Sequence, residues 1–266
     1  MKPHRNIAVV IAVGCFALLS CGGTKTASTA TSTTSTTTST VPATTTSTTP
    51  EYLSERVFGT SVQGRELKAY ERGDVNGVRV VVIGSIHGDE NAGRKIISAL
   101  EDLQVPPGVD LWLVPTINPD GVALRQRGNA NQVDLNRNFP YNWGTIAQKG
   151  EWEWSGPSAA SEPETRATVT FLTEINPALV LWYHQDLFCI SPSEGLDGEI
   201  RQMYSDLTGI PLKKITGGTY TGVAATWQRN TVAGSIGFVV ELGPTLTRSD
   251  ADRYASAVLQ VATRLR

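Results

Sequence analysis

The chain has 266 residues and a formal net charge of −2, and it contains only three histidines. This length suits one domain with accessory segments. The near-neutral charge argues against nucleic acid as the main partner, since nucleic-acid-binding domains are usually strongly basic. Because His4 falls in the N-terminal segment, the folded part of the chain has two imidazoles, His87 and His184.

Residues 1–21 resemble an export signal. Basic residues precede an apolar run over 7–19, which is short for a permanent membrane span. The run ends in a Leu-Leu-Ser-Cys sequence that closes with Cys21 and resembles a bacterial lipobox, in which the cysteine is acylated after cleavage. We therefore predict an exported protein held on the membrane by a lipid at Cys21 and facing the periplasm or cell-wall space. Secretion without a lipid and a retained N-terminal anchor are the alternatives.

Residues 22–50 consist almost entirely of Thr, Ser, Ala and Pro. Such a tract cannot bury enough apolar surface to offset chain entropy, so we predict a disordered linker. The catalytic domain is expected over 51–266. In that domain Cys189 has no cysteine partner, and we expect it to be a small buried side chain.

Apolar runs over 78–83, 111–115, 179–183 and 238–242 predict buried strands. Helical patterns lie between them. One covers 90–103, a second opens at a Ser161–Glu164 capping box and continues to residue 175, and the last follows Ser249 as N-cap. Strands that alternate with helices favour a three-layer α/β domain with a mainly parallel sheet.

Four polar residues lie at or just beyond the ends of these strands: His87, Asn118, His184 and Glu241. Sites in open α/β sheets form beyond the carboxyl ends of the strands. We therefore expect these four side chains to share one rim of the sheet.

The segment 84–90 places His87 and Glu90 three residues apart after a strand, with Gly88 between them to allow a sharp bend. Catalytic zinc takes three protein ligands drawn from His and carboxylate and keeps a position open for water. His184 would supply the third ligand, which predicts one Zn²⁺ per chain. The alternative is that both histidines are structural and only hydrogen-bonded.

Further motifs accompany the metal-ligand pattern. They are Asn-Pro-Asp-Gly at 118–121 and Asp-Leu-Asn-Arg-Asn-Phe at 134–139. Together with His-Gly-Asp-Glu at 87–90, His184 and Glu241, they resemble the zinc carboxypeptidase family in order and approximate spacing, from about residue 60 to 241. The resemblance implies an α/β/α fold around a central mixed, mostly parallel sheet of about eight strands.

The resemblance also implies roles in catalysis. Glu241 matches the glutamate that takes a proton from the attacking water and delivers it to the leaving amine. Arg127 matches the arginine that stabilises the oxyanion of the tetrahedral intermediate, and Arg125 is the alternative for this role.

Other matches concern substrate binding. Asn136 and Arg137 would bind the terminal carboxylate of the substrate, for which a guanidinium has bidentate geometry. Tyr220 is a candidate for the family's substrate-binding tyrosine. Asp134 is expected to orient a histidine ligand.

The sequence differs from digestive carboxypeptidases at Asp89, where those enzymes have an arginine. In this respect it resembles a compact bacterial branch that includes murein peptide amidases, which cut the γ-D-glutamyl–diaminopimelate bond. Asp89 would suit the extra ammonium of diaminopimelate, or it forms a local turn. Small, mostly apolar residues at 223–226 are expected to line the pocket beside the cleaved bond.

We thus predict a monomeric zinc peptidase that acts on short, cell-wall-derived peptides. One alternative is a general carboxypeptidase that trims protein C-termini. Another is a zinc deacylase of the same superfamily, although the 118–121 and 138–140 segments favour the peptidases. A cell-wall-binding lipoprotein without activity is the non-enzymatic alternative.

Overall fold

The structure is a computed structural model that describes residues 51–266, so the predicted leader and linker lie outside the described residues. The strands are β1 (Ser54–Thr60), β2 (Glu66–Gly73), β3 (Val78–Ile83), β4 (Val109–Val114), β5 (Leu179–Gln185) and β6 (Ile236–Leu242). The helices are α1 (Ala92–Glu101), α2 (Pro119–Leu124), α3 (Pro163–Ile175), α4 (Gly195–Thr208), α5 (Ala224–Thr231) and α6 (Arg248–Arg264), with a 3-10 turn at Leu135–Arg137. Within residues 51–266, none of these helices combines the length and apolarity that a membrane crossing requires.

The strands form one mixed sheet in the order β1-β2-β4-β3-β5-β6. The pairs β4–β3, β3–β5 and β5–β6 are parallel, whereas β1–β2 and β2–β4 are antiparallel. The described residues thus contain six strands, and the expectation of about eight is wrong. The chain between β5 and β6 forms α4 and α5, and the chain after β6 forms α6. Beyond β6 the described residues add two isolated bridges, between Cys189 and Glu241 and between Ile190 and Leu212.

The three-layer prediction is confirmed by two separate hydrophobic clusters, one on each face of the sheet. On β3, Val80 and Val82 belong to the cluster that contains residues of α1, α4 and α6. Val81 and Ile83 belong to the cluster that contains residues of α3 and α5. Successive side chains of a strand point to opposite faces, so a strand covered on both faces reads as a continuous apolar run.

All four predicted strands are present, as β3 to β6. β1 and β2 were not predicted from the sequence. Less exposed and more exposed positions largely alternate along both strands, and the more exposed face of each strand carries charged side chains. Each strand pairs antiparallel to its neighbour at the outer end of the sheet, where one face of a sheet can remain solvated.

Three predicted helix starts differ from the structure, the first of them that of α3. The N-cap of α3 is Glu162, and no side chain caps that end. Ser161 donates its hydroxyl hydrogen bond to Glu162 (2.7 Å), and Glu164 accepts from the backbone N–H of Val62 (3.0 Å).

The final helix, α6, begins one residue after Thr247. The Thr247 and Asp250 side chains form a reciprocal capping box there, so the N-cap is not Ser249. The first predicted helix also begins later than expected, at Ala92, because Glu90 lies in the loop before it.

Candidate active site

The site lies at the carboxyl ends of the parallel strands, as expected from the sequence. His184 is on β5 and Glu241 is its register neighbour on the adjacent strand β6. His87 follows β3, the strand on the other side of β5. Three predicted site residues thus come from three neighbouring strands.

The predicted metal ligands converge. Ligand atoms of His87, Glu90 and His184 all lie within 4.8 Å of one another. The Nδ1 atom of His87 is 2.8 Å from Glu90 Oε1, and Nδ1 of His184 is 3.1 Å from Glu90 Oε2. Two imidazole nitrogens and one carboxylate oxygen are the donor set of a catalytic zinc site. The residues therefore fit the metal.

The imidazole of His87 is held in place from its other side. Its Nε2 lies 3.0 Å from Asp134 Oδ1, which leaves Nδ1 directed at the metal position. Burial lowers the pKa of His87, but the carboxylates of Asp134 and Glu90 outweigh it and raise that pKa to about 9. Burial raises the pKa of Asp134, yet the charge of His87 holds it well below its usual range. The structure thus contains the contact with His87 that Asp134 needs for its predicted role in orienting a metal ligand.

Two loops of the site are packed backbone against backbone. A Cβ atom at Gly88 would overlap the carbonyl group of Gly121, so close approach explains this glycine better than the sharp bend expected from the sequence. Asn118 is fully buried and lies behind the loops. Its side chain accepts from Gly121 N (2.9 Å) and donates to the backbone oxygens of Ile86 and Arg127 (3.1 Å each). Asn118 thus joins the loops and does not line the cleft.

Glu241 has one carboxylate oxygen, Oε2, that is buried without a hydrogen-bond partner among residues 51–266. Its backbone is held by a reciprocal pair of hydrogen bonds with Cys189 (3.1 and 3.0 Å). Burial raises the pKa of Glu241, His184 opposes that shift and the charge of Glu90 adds to it. Cys189 is a free cysteine and only 2 % exposed, which confirms the prediction of a small buried side chain.

Of the two candidate arginines, Arg127 lines the cleft. Its Nη1 donates to Glu90 Oε1 (3.0 Å) and its Nε donates to Asp134 Oδ2 (2.9 Å). Arg125 is exposed, with a left-handed φ of 52° as the C-cap of α2, and does not line the cleft. The structure thus favours Arg127 as the arginine near the metal, while its role in the reaction stays a prediction.

Asn136 and Arg137 lie side by side in the 3-10 turn. The Asn136 side chain accepts from Ala224 N (3.0 Å), which ties it to the start of α5. Arg137 is buried and forms an ion pair with Glu153, and its guanidinium lies over the ring of Tyr220 at 5.2 Å. Tyr220 is half exposed, at 51 %.

One cleft of about 480 Å³ brings together all the residues predicted to bind the metal, bind the substrate, act as general base or stabilise the oxyanion. They are His87, Asp89, Glu90, Arg127, Asn136, Arg137, His184, Tyr220 and Glu241. The sequence did not indicate Trp152, Glu153 and the segment 185–187, which also line the cleft. No motif marks them, although an exposed Trp152 (68 %) beside Glu153 is unusual for a loop.

Comparison with known proteins agrees with this geometry. The family described as zinc carboxypeptidase (Peptidase M14) matches residues 42–190. Murein peptide amidase A of Escherichia coli K12 is 29 % identical over 181 residues, which cover 64 % of this chain and 74 % of that protein. The catalytic chain of human carboxypeptidase N is 31 % identical over 159 residues, covering 44 % and 34 %.

Solved structures agree as well. The murein-tripeptide amidase of Escherichia coli O157 superposes with a TM-score of 0.63 at 26 % identity, covering 78 % of this chain and 91 % of that one. Carboxypeptidase A of Helicoverpa armigera shares the fold, with a TM-score of 0.68 at 19 % identity over 81 % and 68 % of the two chains. The chain therefore belongs to the zinc carboxypeptidase family and is a zinc-dependent metallopeptidase with the ligands His87, Glu90 and His184.

Proposed function

We propose that the protein hydrolyses the peptide bond next to a C-terminal or diaminopimelate-type residue, with Glu241 as general base, and that its substrates are cell-wall peptides. The observation that supports this most directly is the position of Glu241. It is the register neighbour of a metal ligand and lines the cleft, with one carboxylate oxygen lacking a partner in the described part of the chain.

Zinc, when bound by His87, Glu90 and His184, supplies Lewis-acid polarisation of a carbonyl and lowers the pKa of a coordinated water. The proton transfers and the binding of the substrate are carried out by residues of the chain. Glu241 takes the proton of the attacking water and later delivers it to the leaving amine. Its raised pKa, caused by burial, favours holding that proton between the two transfers.

Two arginines have different roles in the proposed mechanism. Arg127, next to Glu90, stabilises negative charge that develops on the carbonyl oxygen. Arg137 and Asn136 bind the carboxylate that follows the cleaved bond, and Tyr220 covers the Arg137 guanidinium.

Replacing the proposed base tests the mechanism. The variant Glu241→Gln should retain one zinc per chain and lose turnover by about 100-fold or more, because general base catalysis contributes about that much. Zinc content is measured alongside peptide hydrolysis, and Glu199→Gln on the exposed face of α4 is the matched control. Substantial residual turnover in Glu241→Gln would refute the role of Glu241.

Two features support a cell-wall substrate. The first is the similarity to murein peptide amidases over most of the domain. The second is Asp89, which is exposed on the rim of the cleft and offers a carboxylate to the extra ammonium of diaminopimelate. The test compares hydrolysis of L-alanyl-γ-D-glutamyl-diaminopimelate with that of ordinary peptides of equal length. Preference for ordinary peptides would favour the general carboxypeptidase instead.

The same preparation separates the remaining alternatives. A zinc deacylase would release an acyl group from an N-acyl amine that lacks a carboxylate next to the cleaved bond. The proposed peptidase requires that carboxylate, because Arg137 and Asn136 line the cleft as its binding groups. An inactive binding lipoprotein would hydrolyse neither substrate with zinc present.

We also propose that the enzyme is exported and held by a lipid at Cys21. The support is the sequence of residues 1–21, in which a basic start and an apolar run precede that cysteine.

A further inference from the structure

A side cavity of about 210 Å³ adjoins the catalytic cleft. It shares Asn136, Tyr220 and Glu241 with the cleft, so it begins where the bond would be cut. Apolar wall residues come from α5, the loop before it and β6: Val223, Ala225 and Val239. A side chain adjacent to the cleaved bond can therefore enter this cavity from the cleft.

Two arginines also line the cavity, but one of them is fully engaged. Arg201 is buried and forms a bidentate pair with Asp197, with both N–O distances at 2.7 Å. It also donates to the backbone oxygen of Ser191 (2.8 Å). The charge of Arg201 is thus compensated by a carboxylate of its own helix.

Arg229 is different. Its Nη1 donates to the backbone oxygen of Gly237 (2.6 Å) and its Nη2 makes a long contact of 3.4 Å with Thr226 Oγ1. Within residues 51–266 it forms no ion pair with a carboxylate. Arg229 is exposed as a whole residue, yet partial burial of its guanidinium lowers its pKa, and the nearby charge of Arg201 lowers it further. A guanidinium has more N–H donors than these two contacts use.

The charges of the cavity therefore leave one cation uncompensated. Arg201 and Asp197 cancel, and Glu241 lies at the border with the cleft, where the proposed mechanism uses it. An anion that enters from the cleft would find the donors of Arg229 available. A side chain that ends in an ammonium without a carboxylate, such as that of lysine, would meet repulsion from the same group.

We propose that this cavity receives the side chain of the residue released from the C-terminal side of the cleaved bond, and that Arg229 selects a side chain ending in a carboxylate. The proposal rests on the proposed function, because it assumes that this residue is bound beside Glu241. The chemical class is an acidic side chain, either that of glutamate or the distal carboxylate of diaminopimelate. The apolar walls contact the methylene groups of such a side chain, and Arg229 binds its end.

The first test measures kcat/KM of the zinc-loaded enzyme for N-acyl dipeptides that end in Glu, Gln or Lys. Glu and Gln have the same shape and differ in charge, so their ratio isolates the contribution of the carboxylate. We expect a preference for Glu over Gln of about 10-fold or more, since hydrogen bonds between charged groups are among the strong ones. L-Alanyl-γ-D-glutamyl-diaminopimelate, compared with the same tripeptide ending in lysine, tests the second source of the carboxylate.

Variants then assign the preference to one residue. Arg229→Gln should bring the Glu-to-Gln ratio close to one, mainly by lowering kcat/KM for the Glu peptide. Arg253→Gln, on the exposed face of α6, removes the same charge away from the cleft and should keep the wild-type ratio. A wild-type ratio near one, or an unchanged ratio in Arg229→Gln, would overturn the proposal.

A binding measurement separates this proposal from the proposed function. In zinc-loaded Glu241→Gln, calorimetry with the same peptides should show tighter binding of the Glu peptide than of the Gln peptide by a similar factor. The difference should vanish in Glu241→Gln/Arg229→Gln. If Glu241→Gln still turns over, the base assignment fails, and the peptide preference can still be read from kcat/KM. Equal dissociation constants for the two peptides would refute the selection by Arg229 even if Glu241 is the base.

Discussion

At the residue scale, Arg137 already has a carboxylate partner within the chain. Glu153 is one-third exposed and pairs with the buried guanidinium that we assign to the substrate carboxylate. Both residues line the cleft. A substrate carboxylate must therefore compete with Glu153 or share the guanidinium with it, and Glu153 lowers the affinity for the substrate in either case.

The first prediction follows from this competition. Glu153→Gln should lower KM for a carboxylate-terminated peptide by about two- to fivefold, since partly exposed ion pairs contribute up to about 1 kcal/mol. The kcat should change little, because Glu153 contacts neither Glu241 nor the metal ligands. Steady-state kinetics check both values, with Glu199→Gln as control. A raised KM would show that Glu153 holds Arg137 in position for the substrate and does not compete with it.

A second prediction concerns the carboxylate behind the metal site. The carboxylate of Asp134 accepts hydrogen bonds from His87 Nε2, Arg127 Nε and the backbone N–H of Asn136. Asp134→Asn keeps the shape but changes the acceptor behind His87, and we expect zinc affinity to fall by about 10- to 100-fold. Competition with a fluorescent chelator measures the zinc dissociation constant, and Asp252→Asn on the exposed face of α6 is the control. Unchanged zinc affinity would mean that Asp134 only supports the loop.

At the scale of elements, β4 contains a buried carboxylate that the site does not use. Asp110 is 2 % exposed, its Oδ1 has no hydrogen-bond partner among residues 51–266, and its Oδ2 is 3.8 Å from Arg79 Nε. Burial raises the pKa of Asp110 from 3.8 to about 6. The folded state therefore favours the protonated form. The stabilisation is complete below about pH 4 and is lost as the pH rises through 6.

A third prediction uses this pH dependence. Asp110→Asn should increase the free energy of unfolding at about pH 7.5 by about 1–2 kcal/mol, a value reduced from the full pKa shift because Arg79 is half exposed and solvent screens the group. At about pH 4 the variant and the wild type should have nearly equal stability. Denaturant unfolding of the zinc-free protein at both pH values measures the difference, so that acid release of the metal does not contribute. A gain of the same size at both would point to packing and not to the charge.

The elements also show how much the sequence could predict. Strands β3 to β6 were found because both of their faces are largely buried, and the rim followed from where those strands end. β1 and β2 each have one face that is more exposed than the other and carry charged side chains, so no continuous apolar run marked them. The start of α3 was missed because Glu164 bonds to Val62, a contact between residues 102 positions apart. Glu153 and Arg229 were missed for the same reason, since only the fold brings Glu153 to the cleft and Arg229 to the side cavity.

At the scale of the whole molecule, the proposed anchor gives a fourth prediction. Cys21→Ala should move the enzyme from the membrane fraction to the soluble fraction in a bacterial host and abolish labelling with a fatty-acid probe, because the acylated cysteine would be lost. Fractionation with zinc-dependent hydrolysis as the readout checks this, and Cys15→Ala within the apolar run is the control. Fatty-acid labelling that persists in Cys21→Ala would contradict a lipid at Cys21.

The spacing of the metal ligands has a consequence for the whole chain. Glu90 and His184 are 94 positions apart and meet only because β3 and β5 pair in the sheet. An unfolded chain cannot present this ligand set, so zinc binding and folding are thermodynamically linked. Free zinc at 100 times its dissociation constant would add about 2.7 kcal/mol to the free energy of unfolding. If the enzyme is exported as proposed, it would draw part of its stability from the zinc of its surroundings, and zinc scarcity would reduce both its activity and its lifetime.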